Sequence, residues 1–266
     1  MHCCPTFSYV KPNQESDNAD KQIHRGAHEL IDVPASGRRF TATRRVSIDD
    51  ATPNGRMQHD AIARFLQDVG NDDTDDAEMG EAGMAWVARR ATIEVRSPAV
   101  SRELLTLTTW CSGTGRRWAE RRTSLSGEHG ARIEAATVWI NLDPVTGRPS
   151  PWGEKFSTTY LEATQGRLID SKLRHNKTVG ASASMPWTFR QTDLDGFGHV
   201  NNTAYLAIAE EFLDLDGPQR VEIEWRQPSG ADEQLLVHSA TTGDLHQLWI
   251  VSADGDLRVT ITAAPL

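Results

Sequence analysis

A short segment in the second half of the chain holds residue types that carbonyl chemistry needs. Asp195 and His199 flank a turn that contains Gly196 and Gly198, and an amphipathic helical pattern follows this turn. A carboxylate can hold water as a general base or attack as a nucleophile, and a histidine can position the substrate or share the proton transfer. Glycines let a substrate approach the backbone, and the start of a helix offers N–H groups to a carbonyl oxygen.

The two asparagines after the turn are interpreted as supports rather than reactants. Asn201 or Asn202 can cap the helix, which predicts that the backbone amides around residues 199–201 stay free to polarise a carbonyl. Two ordinary alternatives remain open at this point. Asp195 can be a turn residue that hydrogen-bonds its own backbone, and His199 can be a structural histidine.

The turn and its helix occur twice in the chain. Residues 50–66 align without gaps with residues 193–209 at an offset of 143 (193 − 50 = 143), and residues 93–98 resemble residues 223–228 at an offset of 130 (223 − 93 = 130). The first copy therefore has 13 more residues between helix and strand (143 − 130 = 13), and we assign much of this difference to an acidic solvated loop around residues 71–80. Thr52 stands opposite Asp195 and Arg56 opposite His199, so the chemistry is predicted to reside in the second copy.

Each copy shows one helix pattern followed by a run of alternating strands, which indicates an α+β fold. A single such unit leaves a sheet edge unpaired, and two units side by side protect that edge in one continuous sheet. We therefore predict two tandem units, each with one long helix packed on an antiparallel sheet, that form an intramolecular pseudo-dimer. The predicted division is a flexible tail at 1–38, a non-catalytic unit that helps to form the acyl pocket at 39–155, a linker at 156–180 and a catalytic unit at 181–266.

Composition narrows the class of protein. The chain has 266 residues and a formal net charge of −9, which argues against a general nucleic-acid binder. It has no apolar run of the roughly 20 residues that a membrane-spanning helix needs. Three cysteines without framework spacing suggest a reducing compartment, so we expect a cytoplasmic protein. Zinc spacings and phosphate-binding loops are missing from the sequence, and we expect no metal and no cofactor.

The segment Asp193-Leu-Asp195-Gly-Phe-Gly198-His199-Val-Asn201-Asn202-Thr-Ala-Tyr205 resembles the D-x-D-x-x-G-H-V-N-N-x-x-Y signature of hot-dog thioesterases. Three more segments follow the order found in acyl-ACP thioesterases: a T-W-x-x-G-x-G strand at 109–115, a double arginine at 121–122 and a W-x-x-x-x-x-x-T-x-R stretch at 139–148. The resemblance covers about residues 40–266. It implies a tandem hot-dog fold and hydrolysis of a fatty acyl thioester to free fatty acid and carrier thiol, in fatty acid biosynthesis. The implied partner is acyl carrier protein or coenzyme A.

The resemblance also implies roles for individual residues. Asp195 matches the catalytic aspartate of the signature, with His199 beside it, and the expected substrate-binding residues are Gly198, Asn201, Asn202, Tyr205 and Glu211. The arginines at 116, 117, 121 and 122 are a candidate surface for the acidic carrier protein, and the pseudo-dimer is a candidate for further homodimerisation.

Two positions depart from the plant-type pattern. Phe197 replaces an asparagine, and Pro228 and Ser229 replace an acidic residue and a cysteine. These departures motivate an alternative, a non-catalytic acyl-thioester-binding or regulatory hot-dog protein. A dehydratase with the same fold is a weaker alternative, because the motif order matches thioesterases.

Overall fold

The computed structural model of the chain describes residues 30–82, 85–180, 183–196 and 198–266. Most of the predicted N-terminal tail, with Cys3 and Cys4, lies outside the described residues, as does Phe197.

The described residues form one antiparallel sheet of ten strands. The strands are β1 (Phe40–Arg45), β2 (Ala85–Ser97), β3 (Leu104–Thr114), β4 (Trp118–Gly127), β5 (Arg132–Leu142), β6 (Ala183–Trp187), β7 (Gln219–Trp225), β8 (Leu235–Thr242), β9 (Leu245–Ser252) and β10 (Leu257–Pro265). Their order across the sheet is β1-β3-β4-β5-β2-β7-β10-β9-β8-β6. The two halves of this order mirror each other, and they join where β2 pairs with β7, from Arg90 opposite Glu224 to Val95 opposite Gln219.

This junction confirms the predicted pseudo-dimer. Each half would expose the backbone donors and acceptors of β2 or β7 if it stood alone, and the pairing of the two strands satisfies both edges. Both halves also bury the alternate side chains of their strands on one face of the sheet, for example Ile93 and Val95 in β2 and Val221 and Ile223 in β7.

Two helices cover that face. They are α1 (His59–Asp76) and α3 (Ala204–Phe212), and they share a single hydrophobic core with the strands of both halves. In α1 the buried side chains Ile62, Phe65, Leu66 and Val69 follow helical spacing, as the sequence predicts. A third helix, α2 (Glu154–Tyr160), lies after β5. Of the helices in the described ranges, none has the length and apolarity to cross a lipid bilayer.

The predicted acidic loop is wrong in part, because most of it is helix. α1 runs through Asp76, so it has 18 residues, whereas α3 has nine and is not the long helix that was expected. Asp73 explains why the acidic segment packs against the protein: it is 1% exposed and pairs with Arg38 at 2.7 Å and with Arg121 at 2.6 Å. Two guanidinium groups thus compensate the burial of one carboxylate.

The opposite face of the sheet is covered by the segment that follows α2. This segment, residues 161–176, lies within the predicted linker and is hydrogen-bonded to the strands beneath it. Arg90 in β2 donates to the backbone oxygen of Asp170 at 2.9 Å, and the Trp249 indole donates to the backbone oxygen of Asn176 at 2.8 Å. Because this face is covered, a pocket between the helices and the sheet is the natural place for a ligand.

Candidate active site

The two turns that precede α1 and α3 have the same backbone structure. Four N–H···O bonds recur at equivalent residues, at 2.7 and 2.8 Å (52 to 56, 195 to 199), 2.8 and 3.0 Å (55 to 52, 198 to 195), 2.9 and 2.8 Å (58 to 50, 201 to 193) and 2.8 and 3.0 Å (57 to 99, 200 to 229). Gly55 and Gly198 both have positive φ, 86° and 76°, where a side chain would be strained. The equivalence at an offset of 143 is therefore present in the geometry as well as in the sequence.

These hydrogen bonds correct one expectation about the turn. The amides of residues 198–201 were expected to be free, but all four are donors within the protein. The amides of Gly198, Val200 and Asn201 donate to backbone oxygens, and the amide of His199 donates to Asp195 Oδ1 at 3.2 Å. The amides were misassigned because the sequence does not show how tightly the turn closes on itself.

The next amide along the chain is free. Within the described ranges, the Asn202 N–H has no acceptor, and it lies in the turn immediately before α3. Asn201 makes the cap, since its Oδ1 accepts both the N–H and the hydroxyl of Thr203 at 3.0 Å. A donor at the start of a helix also lies at the positive end of the helix dipole, so Asn202 N–H is suited to an oxygen that gains negative charge.

Asp195 and His199 lie together in this turn and both are half-buried. Asp195 Oδ1 accepts the His199 N–H, which fixes the carboxylate against the turn. The His199 imidazole makes no hydrogen bond within the part of the chain that the structure describes, so its ring nitrogens are available to water or substrate. In the first unit Thr52 replaces Asp195, and its hydroxyl donates to the Arg56 backbone oxygen at 3.1 Å.

A group of charged residues fills the equivalent place in the first unit. This mirror cluster consists of Arg56, His59, Glu210 and Asp216. Glu210 extends from α3 to the start of α1, where Oε1 accepts the His59 N–H at 2.6 Å and lies 2.8 Å from His59 Nδ1. Arg56 Nη2 donates to Glu210 Oε2 at 2.7 Å, and Arg56 Nε donates to Asp216 Oδ1 at 2.9 Å.

Electrostatics hold the mirror cluster in its ionised form. Burial alone would raise the pKa of Glu210, but the hydrogen bonds from His59 and Arg56 outweigh burial and lower this pKa from 4.5 to about 2. The His59 N–H is equivalent to the free Asn202 N–H (202 − 59 = 143). One helix start is therefore occupied by an internal carboxylate, while the other is open.

The open helix start faces a pocket between the helices and the sheet. Ala63, Leu66 and Gln67 of α1 line it together with Asn202, Thr203 and Leu206 at the start of α3. The sheet contributes further lining residues: Ala88, Ala91, Ile93, Arg121, Thr123, Ala135, Thr137, Trp139 and Trp225. Much of this surface is apolar and belongs to the first unit, whereas the turn with Asp195 belongs to the second.

Other expected site residues lie elsewhere. Tyr205 is 1% exposed and packs edge-on against Phe189 at 4.9 Å between ring centroids, and burial raises its pKa to about 12. Glu211 is exposed, and neither residue lines the pocket. The structure therefore places Asp195, Gly198, His199, Asn201 and Asn202 together, but not Tyr205 and Glu211.

The four arginines do not form one surface. Arg116 and Arg117 are exposed at the turn between β3 and β4. Arg121 pairs with Asp73, and Arg122 is 2% exposed beside Glu120, with 3.1 Å between Arg122 Nε and Glu120 Oε1. Only the first two are therefore accessible to a carrier protein.

Sequence reasoning missed two features of this region. It did not identify the mirror cluster, and it did not identify Gln67 as a pocket residue. The offset of 143 pairs Gln67 with Glu210 and His59 with Asn202, so a signal was present. What the offset could not show is that each of these residues faces the start of the other unit's helix.

Comparison with known proteins gives a consistent result for both units. The chain matches the acyl-ACP thioesterase N-terminal domain model over residues 37–160 and the acyl-ACP thioesterase C-terminal domain model over residues 176–260. An uncharacterised protein of Mycobacterium tuberculosis is 28% identical over 229 residues, which are 85% of this chain and 92% of that protein. A chloroplastic acyl-[acyl-carrier-protein] hydrolase of Cuphea viscosissima is 28% identical over 137 residues, which are 49% of this chain and 33% of the hydrolase.

Solved structures show the same fold. An acyl-ACP thioesterase from Bacteroides thetaiotaomicron aligns with a TM-score of 0.71 at 16% identity, over 85% of this chain and 97% of its own. A 12:0-ACP thioesterase from Umbellularia californica aligns with a TM-score of 0.69 at 17% identity, over 86% and 97%. The two matched domain models, in the order of the two units of the sheet, show that this chain belongs to the acyl-ACP thioesterase family and has its tandem hot-dog fold.

Proposed function

We propose that this protein hydrolyses a fatty acyl thioester, carried by acyl carrier protein or coenzyme A, to a free fatty acid and the carrier thiol. One observation carries the proposal. The Asn202 N–H is free at the start of α3, beside Asp195 and at the wall of a largely apolar pocket, whereas its equivalent in the first unit is occupied by Glu210. A helix start left open to a pocket fits a carbonyl oxygen that becomes an oxyanion during the reaction.

The chemistry follows from this placement. Asp195, as a general base, takes a proton from water, and the water oxygen forms a bond to the thioester carbon. The carbonyl oxygen gains the negative charge and accepts the Asn202 N–H. When the carbonyl re-forms, the carbon–sulfur bond breaks, and the thiolate leaves and takes up a proton. His199, with its free ring nitrogens, positions the water or substrate or shares the proton transfer.

Asp195 has a second possible role as the nucleophile. Its carboxylate oxygen would displace the thiolate and form a mixed anhydride with the acyl group, which water would then hydrolyse. A single turnover in ¹⁸O-labelled water separates the two routes. Water attacking the anhydride at the aspartyl carbon leaves the label in Asp195, whereas the general-base route places it only in the fatty acid.

The test is thiol release from acyl-CoA and acyl-ACP substrates of short to long chain length. Asp195→Asn is expected to lower kcat about 10²- to 10⁴-fold, the range for removal of a general base. Asp254→Asn, the same change at an exposed hairpin position, serves as the control. Full activity in Asp195→Asn would refute the role of Asp195, and the ranking of the substrates would identify the carrier.

The setting that we propose is cytoplasmic fatty acid biosynthesis, with no cofactor. Arg116 and Arg117 are exposed and can contact either an acidic carrier protein or the phosphates of coenzyme A. Replacement of both by serine is expected to raise KM for the preferred carrier without lowering kcat.

A second candidate function is non-catalytic binding of acyl thioesters. The observation that favours it is the hydrogen bond from the His199 N–H to Asp195 Oδ1, because a carboxylate held in its own turn can be a purely structural group. Tight acyl-CoA binding without turnover at any chain length would support this candidate, and robust turnover would reject it.

A further inference from the structure

We propose that Gln67, on the helix of the first unit, donates the second hydrogen bond to the thioester carbonyl oxygen in the active site of the second unit. The inference rests on the proposed function. It means that the first unit supplies a catalytic residue as well as a wall of the pocket.

The pseudo-symmetry of the fold places Gln67. Gln67 in α1 and Glu210 in α3 are equivalent residues (210 − 67 = 143) on equivalent helices. Glu210 reaches across the interface to the start of α1 and accepts the His59 N–H. Because the two units mirror each other across the β2–β7 junction, Gln67 is directed towards the start of α3 and the Asn202 N–H.

The pocket provides independent support for this placement. Gln67 and Asn202 both line it, although they come from different units. Gln67 is half-buried, and its carboxamide has no hydrogen-bond partner among the residues that the structure describes. A polar group in an otherwise largely apolar wall loses its water when an acyl chain binds, and it then needs a partner from the substrate.

The change from glutamate to glutamine gives this position its function. In the mirror cluster, Glu210 is a carboxylate that occupies the free amide of the helix start, and Arg56 and His59 compensate its charge. Gln67 is neutral and carries N–H donors, so it leaves the Asn202 N–H open and adds a donor of its own. The carbonyl oxygen is then held by one backbone N–H and one side-chain N–H, a two-donor oxyanion site.

The first test compares Gln67→Met, which keeps the length of the side chain but removes its donors, with the same change at the exposed Gln234. Gln67→Met is expected to lower kcat about 10²- to 10³-fold, the effect of losing one oxyanion donor, with little change in KM or melting temperature. Gln234→Met is expected to match the wild type. A kcat for Gln67→Met within threefold of the wild type would overturn the proposal, as would a loss confined to KM.

Gln67→Glu gives an opposite chemical perturbation with almost no change in shape. By the geometry of the mirror cluster, its carboxylate would accept the Asn202 N–H and exclude the substrate oxygen. This variant is expected to be no more active than Gln67→Met. Wild-type activity in Gln67→Glu would also overturn the proposal.

A spectroscopic measurement separates a catalytic role from a structural one. In the Asp195→Asn background, the infrared stretch of the bound thioester carbonyl reports how strongly its oxygen is polarised. Adding Gln67→Met is expected to move this band to higher frequency, and an unchanged band would refute the hydrogen bond. If the wild type releases no thiol at all, the proposed function fails; if it does and only the Gln67 variants match it, the present inference fails alone.

Discussion

Replacement of Glu210 by glutamine tests the electrostatic account of the mirror cluster. The variant keeps the shape of the side chain but removes the charge that Arg56 and His59 stabilise. Because the pKa of Glu210 falls from 4.5 to about 2 on folding, the ionised form contributes about 3 kcal/mol to stability at neutral pH, at about 1.4 kcal/mol per pKa unit. The side chain is 14% exposed, so screening by solvent reduces this value only modestly.

The sign of the pH dependence follows from the lowered pKa. Above pH 4.5 the carboxylate is ionised in both the folded and the unfolded chain, so its contribution is complete. Between pH 4.5 and about 2 the unfolded chain binds the proton and the folded chain does not, and stability is lost as the pH falls. The contribution is expected to be about 1 kcal/mol at pH 3 and to vanish below pH 2.

The assay is denaturant unfolding of the wild type and Glu210→Gln at pH 7 and pH 3, with Glu211→Gln as the matched control. Glu211 is the neighbouring residue in α3 and is exposed, so its variant is expected to stay within about 0.5 kcal/mol of the wild type. The reasoning is refuted if the two variants are equally stable at pH 7, or if the effect of Glu210→Gln is the same at both pH values.

Two further predictions concern buried groups of the first unit. Asp73→Asn should destabilise the protein by about 3 to 5 kcal/mol, because it leaves Arg121 without its carboxylate partner, whereas Asp72→Asn at the half-exposed pair with Arg44 should cost less than about 1 kcal/mol; equal losses in unfolding experiments would contradict this. Cys111 is 4% exposed, and burial raises its pKa to about 12, so iodoacetamide at pH 8 should leave it unmodified in the native protein and alkylate it after unfolding, as read by peptide mass spectrometry.

Local patterns were enough to predict much of the architecture. Alternating apolar residues predicted the strands β2 to β5 and β7 to β10, because side chains on opposite faces of a strand meet core and solvent in turn. The constant offset between the two turns predicted the duplication and the paired edges. Three elements were not predicted: β1, β6 and α2. β1 and β6 are short edge strands of six and five residues, and β6 is largely exposed, so they show little apolar pattern.

The acidic segment shows where composition misleads. Residues 71–76 were interpreted as a solvated loop, since charged side chains rarely enter a core. In the fold they extend α1, because Arg38 and Arg121, which are distant along the chain, meet Asp73 and compensate its burial. No window of the local sequence contains that information.

The sequence by itself determined the tandem architecture, the family and the turn that brings Asp195, Gly198 and His199 together, because all of these depend on residues close in the chain or on a repeat within it. The tertiary structure decided which amide of the turn is free, and it brought Gln67 and Asn202 to one pocket. It also decided that Glu210, rather than the exposed Glu211, is the carboxylate that crosses between the units. These features depend on the packing of two helices across the β2–β7 junction, and such contacts over about 140 residues are set by the fold of the whole chain.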